Sequence, residues 1–148
     1  MTAPLVEIRQ AYRDAIVAGE TPGRPWHEVL LPVELFDELV PELGEDEAHY
    51  GFAIGCPASE RQDSTRMQPV YRTILELRWA RIIGAERQLT DYDAGLADEQ
   101  ALLAILEPLG LNRNATVKTI SRRVEAITAG GLFLGRLTMS IVHHYPTT

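Results

Sequence analysis

Residues 71–83 read YRTILELRWARII, a run with neither Gly nor Pro. Tyr71, Thr73, Leu75, Leu77 and Trp79 fall on one side of a period of two, and Arg72, Ile74, Glu76, Arg78 and Ala80 on the other. Successive strand side chains point to opposite faces, so the run reads as a long strand with one apolar face and one mixed, charged face. A face that only meets water needs nothing more than Ser and Thr. With Ile74 and Ala80 set among Arg72, Glu76 and Arg78, a long strand with such a face either stands out as an arm or is covered by something.

Working outward, residues 50–57 (YGFAIGCP) form a short apolar strand and residues 59–67 (SERQDSTRM) a polar loop. Residues 90–109 (TDYDAGLADEQALLAILEPL) switch to helix. Thr90 with Asp93 suits a capping arrangement, and Asp91 and Asp93 favour the positive end of the helix dipole. Leu102, Leu103, Ile105 and Leu106 make its apolar stripe, and Pro108 with Gly110 should end it. Residues 116–128 (TVKTISRRVEAIT) are rich in β-branched side chains, with Lys118, Arg122, Arg123 and Glu125 spread over both sides. Residues 129–131 (AGG) make a hairpin-type connection. In the following strand, 132–145, Phe133, Leu137, Met139 and Ile141 share one face; Arg136, Thr138, Ser140 and His144 share the other.

Toward the N-terminus, Leu5, Ile8, Tyr12 and Ile16 recur at helical spacing over residues 4–18, with Pro4 at the start and Gly19 at the end. Residues 20–28 (ETPGRPWHE) form a loop, and residues 32–43 (PVELFDELVPEL) a short helix. Its apolar face is Leu35, Leu39 and Val40, and Pro41 stops or kinks it. Helix, helix, strand, strand, helix, strand, strand predicts one α+β domain over 1–148, an antiparallel-rich sheet with helices packed on one side.

A chain of 148 residues and net charge −7 has the size of one domain, buries a core without disulfides, and is a poor partner for nucleic acid. Thirteen Arg stand against one Lys, Lys118, and Arg rather than Lys is enriched at interface cores. Cys56 is the single cysteine, which fits a reducing cytoplasm. Charges at Glu7, Arg9, Arg13 and Asp14 interrupt any signal-peptide core, and no apolar window is long enough for a membrane span.

Candidate chemistry is thin. The glycines of GFAIG (51–55) lack the rest of a phosphate loop. Cys56 reads as a small core residue rather than a nucleophile. His143 and His144 are adjacent on a strand and point to opposite faces, far from His27 and His49, so a zinc site is not expected. The acidic run 42–47 lacks the alternation of a calcium loop, and Asp91, Asp93 and Asp98 read as helix-start charge. Neither a catalytic residue nor a cofactor or metal is expected. Arg72, Glu76, Arg78, Arg81, Arg122 and Arg136 are instead candidates for subunit contacts.

FAIGCP (52–57), YRTILELRWARII (71–83), LTDYDAGLADEQALLAIL (89–106) and SIVHHY (140–145) together resemble the tail terminator, or minor tail, proteins of long-tailed bacteriophages. The resemblance runs from about residue 50 to the C-terminus. It implies the same α+β fold and a purely architectural role: a homo-oligomeric, hexameric ring at the head–tail junction that ends tail-tube polymerisation. Its implied partners are the tail tube protein and a head–tail connector or neck protein, with genome DNA passing through unbound. Its implied place is the virion, assembled in the host cytoplasm away from membrane. Arg72, Glu76 and Arg78 would then pair between neighbouring subunits, and residues 20–47, with four prolines, would be a neck-facing or peripheral insertion. A neck stopper or other head-completion protein is the nearest alternative; a small α+β enzyme or ligand-binding domain using Cys56, Asp91, His143 and His144 is the alternative from another class.

Overall fold

The computed structural model describes residues 4–19, 23–63, 70–84, 86–111, 116–127 and 131–144; for residues 4, 62–63, 70, 110–111, 116–127 and 144 it describes the backbone alone. The elements are α1 (Pro4–Ala18), β1 (His27–Glu28), α2 (Phe36–Leu39), α3 (Glu45–Ala48), β2 (Gly51–Asp63), β3 (Val70–Ile82), α4 (Gln88–Leu111), β4 (Thr116–Ile127) and β5 (Leu132–His144). Short 3-10 turns, Val33–Leu35 and Val40–Glu42, flank α2. The fold is α+β: one five-stranded sheet in the order β1-β2-β3-β5-β4, antiparallel except for β1.

The expected strand at 71–83 is β3, the centre of the sheet, and its two faces meet different partners. On the first face Phe52, Ile54, Leu75, Leu77, Trp79, Phe133, Leu137, Met139 and Ile141 are buried beneath α1 and α4, which contribute Tyr12, Ile16, Leu102 and Leu106. The helices reach the sheet because two glycines let them. A Cβ on Gly95 of α4 would stand 2.6 Å from the Phe133 ring, and one on Gly135 would stand 2.2 Å from the Trp79 indole. Both distances are below any real contact, so each glycine holds space that an aromatic ring fills.

The second face is covered over half its length. Val33, Phe36, Val40 and Ala48 lie on Ala53, Ala80, Leu132 and Leu134 as a second buried cluster. The expected apolar stripe of the 32–43 segment, Leu35, Leu39 and Val40, is therefore corrected: Leu35 is exposed and Phe36 takes its place. Broken into 3-10, α and 3-10 turns, the segment presents Val33, Phe36 and Val40 rather than a uniform helical face. Beyond Arg78 and Arg136, toward Arg72 and Val142, no described element covers this face.

Two further expectations change. Residues 59–63, expected in a loop, continue β2, because Ser59, Glu60 and Arg61 pair with Thr73, Arg72 and Tyr71. Residues 64–67 of that loop lie outside the described residues, as do the 128–130 connection and Tyr145. A bulge between Gly55 and Ala58 takes up Pro57, which has no N–H to give the ladder. Helix α4 runs through Pro108 to Leu111, because a proline one turn from the end removes a single hydrogen bond. Gly135→Ala should destabilise the fold by about 1–3 kcal/mol through the Trp79 clash, read as a lower midpoint in urea unfolding at unchanged slope.

Candidate subunit interface

The six candidate residues do not share one place. Glu76, Arg78 and Arg136 lie together on the second face, held by Asp37 of α2. Asp37 Oδ2 is 3.4 Å from Arg78 Nη1 and 3.3 Å from Arg136 Nη2; Glu76 Oε1 is 3.2 Å from Arg78 Nη2 and 3.3 Å from Arg136 Nε. The result is a closed ring of alternating charge. It has a backbone cause: Arg78 and Arg136 are direct cross-strand partners, and facing like charges are destabilising unless carboxylates come between them. Arg123 of β4 pairs in register with Arg136, so three arginines stand abreast across the sheet. These contacts pair the charges of Glu76 and Arg78 inside one chain, where the sequence had left them for a neighbour.

Arg81 belongs to the first face, not to the interface strip. Its Nη1 donates to Asp98 Oδ2 at 2.9 Å and to the Tyr50 hydroxyl at 2.7 Å, and its guanidinium lies 5.3 Å from the Tyr50 ring centre. Burial works against the Arg81 charge, but the Asp98 carboxylate and Tyr50 outweigh it and raise its pKa. Arg24 Nε donates to the other oxygen of Asp98 at 2.7 Å. Asp98 is fully buried, so the sequence reading of it as helix-start charge is corrected: it is the anion that ties α4 to β3 and to the 23–26 loop. Asp91 has a local role, accepting from the Gly84 N–H at 2.8 Å.

Arg72 alone fits the original picture. It is exposed on the uncovered half of the second face, opposite Glu60 and Val142, and carries no ion pair among the described residues. Arg122 stands opposite Leu137; its side chain lies outside the described residues.

The residues considered for chemistry are held apart. The Cys56 thiol is raised to about 11 by burial, which removes the thiolate a nucleophile needs. His143 Nε2 lies 2.6 Å from Thr73 Oγ1, which lies 2.8 Å from Ser59 Oγ. The three side chains form a hydrogen-bonded run across β2, β3 and β5. His49 Nδ1 accepts the Ile82 N–H at 3.1 Å, and burial, then the Arg81 charge, lower its pKa. Among the described residues no group of three His, Cys, Asp or Glu side chains could hold a metal ion.

Asp98→Ala should cost about 3–5 kcal/mol, because it strands two guanidinium charges that bury most of their surface, measured by denaturant unfolding. His49 makes the fold acid-sensitive: as pH falls below 6.5 the unfolded chain takes up a proton that folded His49 refuses, so stability drops. His49→Asn, whose carbonyl can accept the Ile82 N–H, should flatten the decline in stability between about pH 7 and about pH 5. The chain matches no protein-family model and no curated protein.

Proposed function

We propose that this chain is a structural protein of the phage head–tail junction, forming a ring, hexameric by the resemblance, that caps the tail tube and ends its growth. The ring meets the tail tube protein on one side and a connector or neck protein on the other, and the genome passes through it. The observation that carries the reading is the half-covered second face. Sheet strands of 12 and 13 residues run on past the segment that covers them, leaving Arg72 exposed and Ile74 and Val142 partly exposed with no covering element among the described residues. Long strands that outrun their cover are a surface for a neighbour. The α+β class is also the one that the resemblance implies. A net charge of −7 disfavours adhesion to passing DNA phosphates.

The test is electron microscopy of tails assembled with and without the purified chain. Closed rings at the tube end and tubes of uniform length are expected; a chain that leaves tube length unchanged and binds no tube end sinks the reading. Arg72→Glu should weaken ring formation while shifting unfolding stability by no more than about 0.5 kcal/mol, as for other exposed sites. Arg78→Glu, by contrast, should lower the stability of the isolated chain, because it sets a third carboxylate beside Asp37 and Glu76.

A further inference from the structure

We infer that the uncovered half of the second face docks the acidic segment, residues 33–48, of a second copy of this chain. The inference rests on the ring reading above for its setting and names the two patches that meet. Between Val33 and Ala48 there are seven acidic residues and no basic one, equal to the whole net charge of −7. The rest of the chain is therefore neutral, and the molecule is strongly polarised. Glu34, Glu38, Glu42, Glu45, Asp46 and Glu47 are exposed and make no ion pair among the described residues. The seventh, Asp37, shows what the segment does with a carboxylate: it bridges two arginines of the second face, Arg78 and Arg136.

Farther along the same face the complementary charges wait. Arg72 is exposed and makes no ion pair among the described residues, and the backbone register sets Lys118 opposite Ser140. Glu60, opposite Arg72, is the one acid among these positions. Ile74 and Val142, both partly exposed, and exposed Ala58 give the patch apolar area between its cations. One copy's segment covers its own half of the face and leaves its outer carboxylates without an ion pair among the described residues; the neighbour's open half supplies Arg72 beside apolar side chains. The two patches differ, so the contact is heterologous and can repeat from copy to copy until a ring closes. Opposed potentials of this kind set orientation and speed of association, and they weaken with salt.

The experiment is sedimentation and light scattering of the purified full chain at about 50 mM and about 500 mM NaCl, conditions that change the screening length roughly threefold. Assemblies of several 16.5 kDa chains are expected at low salt, shifting toward the monomer at high salt. Arg72→Glu and Glu45→Arg should each weaken association roughly tenfold, with circular dichroism unchanged because both sites are exposed. The combined Arg72→Glu, Glu45→Arg chain should recover association. A monomer at every salt concentration, or assemblies that ignore salt and all three variants, overturns the inference. If the variants block assembly as expected but the wild-type assemblies bind no tail tube, the docking stands and the phage reading falls. If rings form on tubes regardless of these variants, the docking falls and the phage reading stands.

Discussion

The buried Asp98 carboxylate is the constraint around which the first face is organised. It sits on α4, fully out of water, with Arg24 on one oxygen and Arg81 on the other. An isolated buried carboxylate is prohibitively unfavourable, so the anion fixes where both arginines must be. Arg81 fixes β3 at the end of its strand, and Arg24 fixes the loop that leads into β1. Arg81 also draws in Tyr50, whose φ of 59° is left-handed backbone that a bulky residue adopts only when its surroundings force it. The Tyr50 N–H to the Ala80 carbonyl, the edge-on contact with Trp26 and the bond from Arg81 hold it there. That corner connects α4, β3, the start of β2 and the loop before β1.

The remainder of the first face is a matter of shape. Trp79 occupies the space that Gly135 leaves on the neighbouring strand, and Phe133 the space that Gly95 leaves on α4. A large aromatic beside a glycine lets helix and sheet approach closely while burying the ring completely. Specificity here comes from paired choices, each of which makes sense only with its partner.

The second face follows another logic. Three strands bring arginines into line, and the chain neutralises the middle of that line with its own Glu76 and with Asp37 from the segment laid across it. The segment that looked in sequence like an insertion is thus the cover for half the sheet. It carries its acids outward in excess of what its own sheet can use.

The hydrophobic period by itself determined most of the architecture. Alternation over β3 and β5 assigned their faces, and the spacing of Leu5, Ile8, Tyr12 and Ile16 set α1 at Pro4–Ala18. Such patterns are legible because burial of a face is repeated along an element. The α+β class came from the same source. Only the tertiary structure decided the rest. Residues 59–63 are polar and become strand because β3 offers a ladder; Phe36 is buried and Leu35 exposed because broken turns redirect the stripe. Arg78 and Arg136 find Asp37, a partner 99 positions from Arg136, as well as Glu76, and Arg81 turns to Asp98 on the opposite face. Charge pairing between distant residues leaves no period in a sequence, since it depends on where the chain crosses itself.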